Sequence, residues 1–180
     1  MRELPIPLST EAAAALSYQA YPAAPVIDGV AVSRLAKHRA ENGWFMELLR
    51  LTDGVVEGAA LAARQISVSQ AVPGRINAFH IHPKRPQAEL WTVIAGQLTV
   101  WLVDCRAGAA TVGMRRKVLL SGEEPTRLQI PPGVAHGYRA GPEGALLVYA
   151  VSEQFDPQDP NEGRLPWDLF GRELWEEDCG

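Results

Sequence analysis

The sequence has few cysteines, no long hydrophobic run and no cluster of positive charge. Only two of its 180 residues are cysteine, which argues against a disulfide framework and favours a reducing, cytoplasmic setting. The longest apolar stretch, near residues 90–95, contains Thr92 and is far too short to span a membrane. Lysine and arginine are scattered along the chain, and the formal net charge is -4. We therefore expect neither nucleic acid nor a membrane as a partner.

The composition that remains is typical of one globular domain. Hydrophobic residues make up 47% of the chain and charged residues 21%, and the length is enough to bury a core. Ser9, followed by an acidic residue and four alanines, predicts a short helix. We divide the chain into an N-terminal extension with this helix, a β core, and a C-terminal tail with a second short helix at 167–178. These parts cover residues 1–25, 26–155 and 156–180.

The β core is predicted from a change in the residue pattern after residue 25. Short runs rich in β-branched and aromatic residues alternate with turn clusters of glycine and proline. Seven or more such runs at spacings of roughly 8–12 residues are typical of an antiparallel sandwich or barrel. We expect a tight turn at 95–97, where Gly96 would supply an unusual φ angle.

The stretch "FHIHPKRPQAELWTV" contains the strongest functional signal. Side chains alternate along a strand, so His80 and His82 share one face, while Phe79 and the intervening isoleucine share the other. A proline-rich loop follows, and the next strand opens with Glu89. If the two strands pair, Glu89 faces the histidines.

A third histidine, His136, follows a proline-glycine turn much later in the chain. Three neutral imidazoles and one carboxylate suit a divalent Fe, Mn, Ni, Zn or Cu ion, and ligand type alone does not choose among them. Such a set leaves coordination positions open for substrate or water, as in a catalytic site. A metal-free pocket, in which the same side chains transfer protons or bind a ligand, is the alternative.

The spacing of these residues resembles that of the cupin superfamily. The pattern is a glycine, five residues, His-x-His, a gap, a glutamate, six residues and a glycine, followed later by Pro-x-Gly-x-x-His; it falls on Gly74, His80, His82, Glu89, Gly96, Pro131, Gly133 and His136. The gap before the glutamate has six residues, more than is usual in the superfamily. The resemblance implies an all-β cupin double-stranded β-helix (jelly-roll) barrel with short peripheral helices. It also implies a divalent metal ion bound by His80, His82, Glu89 and His136.

The chain also resembles the dTDP-4-dehydrorhamnose 3,5-epimerase family over roughly residues 26–168. The segments that carry this likeness include "ENGWFMELLRL" (41–51), "AFHIH" (78–82), "PPGVAHGY" (131–138) and "LLVYAVSEQFDP" (146–157). The resemblance implies a homodimer with sheet exchange between subunits, acting on a small-molecule substrate. It places His80 at the family's catalytic base and Tyr149 at its catalytic tyrosine, on the opposite face of the substrate.

Several positions depart from the family's pattern. Asn42 and Asn77 stand where the family has arginines that hold the substrate's diphosphate, and they become our substrate-binding candidates. Glu89 replaces a lysine and His82 replaces a glutamine, so these substitutions complete the metal-type set. No counterpart of the family's C-terminal carboxylate, which orients the catalytic histidine, is identified in the sequence. Further substrate-binding candidates are Trp91, Trp101 and Arg139.

Our leading hypothesis is a metal-dependent, cupin-type isomerase or epimerase of a keto-sugar or a similar polyhydroxylated carbonyl compound. A histidine that ligates a metal cannot also act as base, so Tyr149, Glu89 or a metal-bound hydroxide would then move the proton instead of His80. Without a metal, His80 itself would be the base. The alternatives are a dioxygenase that uses the same metal site and a non-catalytic cupin that binds a small molecule.

Overall fold

The structure is a computed structural model that describes residues 6–177 of the chain. Most of its regular structure is β-strand, as predicted. Helix α1 spans Thr10–Ala15, and a single 3₁₀ turn spans Arg172–Trp175. The strands are β1 Ala31–Arg34, β2 Lys37–Ala40, β3 Gly43–Met46, β4 Leu51–Thr52, β5 Val55–Val56, β6 Gln65–Ala71, β7 Ile76–Ile81, β8 Glu89–Asp104, β9 Arg115–Ser121, β10 Thr126–Ile130, β11 Val134–Val151 and β12 Gly163–Arg164.

Two long antiparallel strands, β8 and β11, organise the main sheet. Residues 89–96 of β8 pair with β10 and with residues 145–151 of β11, and β1 and β6 complete this part, which we call half A. Residues 97–104 of β8 pair with β9 and with residues 134–140 of β11, and β7 and β12 complete half B. Hairpins β2–β3 and β4–β5 form two small separate sheets.

The two halves face a shared core. On β8, Trp91 and Val93 of half A and Leu98 and Val100 of half B are all buried in one cluster. Their numbers change from odd to even, so the inward alternation shifts by one residue where β8 passes between the halves. The prediction of a tight turn at 95–97 is therefore wrong. β8 continues through these residues, with an irregularity in its pairing to β11.

The irregularity brings two glycines into close contact. Gly96 has a φ of 69°, and a Cβ atom built on it would lie 2.1 Å from the carbonyl oxygen of Gly144. Only glycine allows both this backbone conformation and this approach. The two long strands can thus cross from half to half without separating.

Replacing Gly96 with alanine is expected to lower the free energy of unfolding by about 2–5 kcal/mol, since strain and steric overlap add. Gly113→Ala is the matched control: its φ is 78°, but a Cβ there would meet nothing within 4 Å. Urea unfolding of both variants measures the difference. Equal losses of stability would mean that the contact with Gly144 carries no weight.

The terminal segments match the sequence prediction only partly. Helix α1 is confirmed, and the Ser9 hydroxyl caps it by accepting a hydrogen bond from the Ala12 amide at 3.2 Å. The C-terminal helix predicted at 167–178 is reduced to the 3₁₀ turn, which begins after Gly171 at a φ of 120°; residue 178 lies outside the described part. Across residues 6–177, no helix has the length and apolarity needed to cross a membrane.

The C-terminal segment covers the outer face of β7. Phe79 is fully buried and contacts the rings of Phe170 and Trp175, with centroids 5.1 Å and 5.3 Å away. The Trp101 indole donates a hydrogen bond to the Leu174 carbonyl at 2.7 Å. With Phe79 anchored on this side, the next residue of the strand, His80, is turned towards the interior.

Candidate active site

A cavity of about 400 Å³ opens between the two halves. Side chains from both halves and from the C-terminal segment line it. Seven of the predicted site residues are among them: Asn77, His80, His82, Glu89, Trp91, His136 and Tyr149.

The strands that carry these residues have different neighbours in the sheet from those predicted from the sequence. β7 and β8 do not pair, because β11 lies between them in half B, with His136 directly opposite His80. Glu89 stands at the start of β8, in half A, and reaches the histidines across the interior. The expected shared face of His80 and His82 is confirmed, since both line the cavity.

His82, Glu89 and His136 form a tight cluster. One potential ligand atom from each lies within 4.8 Å of the others. His82 Nε2 is 2.7 Å from Glu89 Oε1, and His136 Nε2 is 3.7 Å from the same oxygen. The two imidazole rings are stacked, with centroids 5.6 Å apart. The chain has therefore gathered a His/Glu/His set of the kind that binds divalent ions.

Glu89 is only 4% exposed, yet its carboxylate is held in the ionised form. Burial raises the pKa of Glu89, but the adjacent His136 and the hydrogen bonds from His82 and Trp91 outweigh it and lower that pKa to about 2. The Trp91 indole donates to Oε2 at 2.7 Å, and the Gln87 amide donates to Oε1 at 2.8 Å. These donors fix the direction in which the carboxylate points.

Both cluster histidines turn Nε2 towards Glu89, but their Nδ1 atoms differ in partner. His136 Nδ1 donates to the Val134 carbonyl at 3.1 Å, so Nε2 carries the lone pair and points towards Glu89. Burial lowers the pKa of His136, and the adjacent Glu89 carboxylate opposes this shift. His82 Nδ1 is buried and has no hydrogen-bond partner among the described residues.

His80 lies beside this cluster but is not part of it. Its Nε2 is 3.1 Å from Asn77 Oδ1, an oxygen that also accepts a hydrogen bond from Arg164 at 3.0 Å. Nε2 is therefore the protonated nitrogen, and Nδ1 carries the lone pair. Glu162 Oε2 is 4.0 Å from Nδ1. Burial and then the nearby His136 lower the pKa of His80 to about 3, so the ring is neutral at neutral pH.

Tyr149 approaches the same cavity from the other side. It stands on β11 in half A, paired with Ser67 of β6 and Trp91 of β8. Its ring packs against the core, and it lines the cavity together with Leu147. The two residues predicted to transfer protons, His80 and Tyr149, thus belong to opposite halves of the barrel.

Sequence reasoning missed Glu162 and Arg164. Both line the cavity: Glu162 directly precedes β12, and Arg164 lies in that strand, which pairs with β7 so that Arg164 stands opposite His80. They also form an ion pair at 2.7 Å. A strand of two residues has no periodicity to detect, so its partner could not be read from the sequence. Glu162 lies in the C-terminal segment, and its carboxylate is beside His80. It is thus a candidate for the histidine-orienting carboxylate that no sequence motif identified.

Three substrate-binding predictions fall outside the cavity lining. Trp101 packs under the C-terminal segment. Arg139 donates to the Trp175 carbonyl at 2.8 Å and pairs with Glu177 at 2.7 Å. Asn42 lies in the exposed turn between β2 and β3. Within this one chain, none of the three is placed to contact a ligand in the cavity.

Comparisons with known proteins agree with the fold and identify the family. Residues 25–169 match the family described as dTDP-4-dehydrorhamnose 3,5-epimerase. The chain is 39% identical over 144 residues to the spore coat polysaccharide biosynthesis protein SpsL of Bacillus subtilis, covering 79% of this chain and 91% of that protein. It is 29% identical over 142 residues to the dTDP-4-dehydrorhamnose 3,5-epimerase of Methanothermobacter thermautotrophicus, covering 79% and 76%.

Solved structures give the same result. A dTDP sugar isomerase from Desulfovibrio desulfuricans superposes with a TM-score of 0.72 at 27% identity, covering 86% of this chain and 95% of that one. The Legionella pneumophila dTDP-6-deoxy-D-glucose-3,5-epimerase, in complex with dTDP-4-keto-L-rhamnose, gives a TM-score of 0.70 at 26% identity, covering 80% and 77%. The predicted cupin barrel is confirmed.

Fold and site together define an isomerase of the cupin superfamily, with its pocket between the halves of a β-barrel. The family match extends over most of the chain, and a relative at 39% identity covers 79% of it. The chain belongs to the dTDP-4-dehydrorhamnose 3,5-epimerase family. Membership of an isomerase family favours the epimerase hypothesis over the dioxygenase and the binding protein.

Proposed function

We propose that this protein epimerises a 4-keto sugar carried on a nucleoside diphosphate. In this reaction, His80 removes a proton from a carbon next to the ketone, and Tyr149 returns a proton to the opposite face. The observation that carries the proposal is that these two side chains line one cavity from opposite halves of the barrel. A planar intermediate held between them is reachable from both faces.

The surroundings of His80 leave one ring nitrogen free to accept a proton. The ring is buried and neutral, and Asn77 holds its protonated nitrogen, which leaves the lone pair on Nδ1. When Nδ1 takes up a proton, the Glu162 carboxylate 4.0 Å away stabilises the imidazolium that forms. Glu162 is therefore proposed as the positioning residue that fills the role of the family's C-terminal carboxylate.

Two arginines support an anionic substrate. Arg75 and Arg164 both line the cavity, and Arg164 lies beside Asn77, where its guanidinium contacts the asparagine oxygen. Guanidinium groups bind phosphate oxygens with matched geometry. The substrates of the relatives point the same way, since the Legionella enzyme was solved with dTDP-4-keto-L-rhamnose.

Incubation with dTDP-4-keto-L-rhamnose in D2O tests the proposed function. We expect deuterium at carbons next to the ketone and formation of an epimer. NMR and mass spectrometry measure both. The free keto sugar, without its nucleoside diphosphate, should react far more slowly. Oxygen consumption with any substrate would instead support the dioxygenase, and tight binding without exchange would support the binding protein.

A divalent ion, one of Fe, Mn, Ni, Zn or Cu, is the cofactor part of the proposal. The His82, Glu89 and His136 cluster supplies nitrogen and oxygen donors suited to any of them. Bound there, such an ion would polarise the ketone oxygen as a Lewis acid.

A homodimer is also proposed. The β2–β3 hairpin exposes Trp44 and Phe45, which are 51% and 66% accessible, and Asn42 stands at its tip. A second copy packed on this hairpin would bury these rings and give Asn42 a route to a neighbouring cavity. Light scattering coupled to gel filtration measures the assembly, with Phe45→Ser expected to weaken it.

A further inference from the structure

We propose that Asn161 is a positioning residue of this site, which keeps Glu162 beside His80 by tying the C-terminal segment to the loop between β7 and β8. The inference rests on the proposed function, in which the Glu162 carboxylate assists His80. Asn161 precedes β12 by two residues and belongs to none of the sequence motifs described above.

Asn161 is buried although it lies outside every strand. Six polar or charged residues are buried within residues 6–177, and the other five stand on barrel strands: His80, Glu89, Thr92, Asp104 and His136. Asn161 itself is only 7% exposed. A buried amide is costly unless its polar atoms find hydrogen-bond partners, so its partners show what the fold uses it for.

The side-chain amide of Asn161 bonds to the backbone of Arg85 on both sides. Its Oδ1 accepts from the Arg85 N–H at 2.9 Å, and its Nδ2 donates to the Arg85 carbonyl at 2.9 Å. A backbone N–H only donates and a carbonyl only accepts, so the orientation of the amide is fixed. Nδ2 also lies 3.4 Å from Gln87 Oε1. Both amide protons are therefore engaged within the protein and not with a substrate.

Glu162 is held in place from both sides along the chain. Strand β12 follows it and pairs with β7, so that Arg164 stands opposite His80. Asn161 precedes it and is tied to Arg85. Between these two anchors, Glu162 Oε1 pairs with Arg164 at 2.7 Å and Oε2 lies 4.0 Å from His80 Nδ1. A strand of two residues supplies few hydrogen bonds, so the anchor at Asn161 carries much of this placement.

The same amide also reaches the buried cluster through Gln87. Gln87 accepts from Asn161 with Oε1 and donates with Nε2 to Glu89 Oε1 at 2.8 Å. Because the Glu89 carboxylate is an acceptor, Gln87 must turn its NH2 group to Glu89 and its oxygen to Asn161. Asn161 thus links two carboxylates of the cavity through one pair of hydrogen-bonded segments.

Asp159 joins the same two segments at the surface and provides a contrast. Its carboxylate pairs with Lys84 at 2.7 Å and with Arg85 at 2.6 Å. The side chain is 55% exposed and does not line the cavity. Exposed ion pairs contribute little, and this one contacts neither Gln87 nor Glu162. Asp159 is therefore the matched control for Asn161.

The kinetics of Asn161→Ala and Asp159→Ala test the inference, with deuterium exchange into dTDP-4-keto-L-rhamnose as the readout. We expect Asn161→Ala to lower kcat by about 10–100-fold, since a misplacement of about 1 Å can cost about 100-fold. KM should stay within about threefold, because the amide protons of Asn161 are not available to a substrate. Asp159→Ala should leave kcat and KM within about twofold of the wild type.

A double-mutant cycle with Glu162→Gln separates positioning from a general loss of structure. If Asn161 acts through Glu162, the double variant Asn161→Ala/Glu162→Gln should exchange deuterium no more slowly than Glu162→Gln alone. Independent losses would instead multiply. Urea unfolding of each variant shows that the proteins compared are folded.

Three outcomes would overturn the inference: equal kcat values for Asn161→Ala and Asp159→Ala, a raised KM at unchanged kcat, or multiplied losses in the cycle. If Asn161→Ala does not fold, Asn161→Asp takes its place, because it keeps the volume and the acceptor but not the donor. Wild-type protein that exchanges no deuterium refutes the proposed function itself. Wild-type exchange that Asn161→Ala leaves intact refutes only the role of Asn161.

Discussion

His80→Gln is expected to lower the rate of deuterium exchange next to the ketone by about 10²–10⁴-fold, the usual contribution of a positioned general base. Glutamine is close to histidine in volume and can still donate to Asn77 Oδ1, so the barrel should fold normally. It has no lone pair with the basicity of an imidazole, so proton removal fails. The loss should appear in kcat, because the side chain acts on the reacting proton.

The matched control for this variant is His38→Gln. His38 lies on the exposed hairpin strand β2 and does not line the cavity. We expect its exchange rate to equal that of the wild type. If His80→Gln exchanges deuterium as fast as the control, another group is the base and the proposed role of His80 is wrong.

Tyr149→Phe is expected to separate the two halves of the reaction. Proton removal by His80 should continue, so deuterium still enters the substrate with retained configuration. Protonation from the opposite face should fall by about 10²–10⁴-fold, because the phenol that donates there is absent. The ring itself remains, so the packing of this half-buried side chain against Leu147 and the core is preserved.

Comparison of deuterium content with epimer formation measures this split. Tyr21→Phe, at a position 88% exposed, controls for the substitution itself and should leave both quantities unchanged. An equal fall of exchange and epimerisation in Tyr149→Phe would place the tyrosine in substrate binding or in the first step. Unchanged epimerisation would remove it from the reaction.

Local sequence patterns were enough to predict most of the residues that line the cavity. Strand alternation placed His80 and His82 towards the cavity because the period of a strand depends only on neighbouring residues. The same rule turned Glu89, Trp91 and Val93 inwards. Motif spacing joined His136 to them across more than fifty residues. In each case the order of residues along the chain was enough to identify the side chain, and the fold brings these side chains together.

Features that depend on long-range partners were not predictable. The insertion of β11 between β7 and β8 is a choice of sheet neighbours, which strand patterns do not encode. The same holds for the cover of Trp101 and Arg139 by the C-terminal segment. Gly96 does carry the positive φ expected of a turn, but the strand uses it to cross between the halves.

The two long strands also leave no place at which the chain could be divided into two parts that fold independently. Both β8 and β11 belong to both halves, so removing either strand strips hydrogen-bonded ladders from each half at once. A cut in the loop before β10 would leave His80 and Glu89 on one fragment and His136 and Tyr149 on the other. Neither fragment alone would hold a complete site. If the gene is split at this loop, activity is expected only when both fragments are expressed together and reassemble.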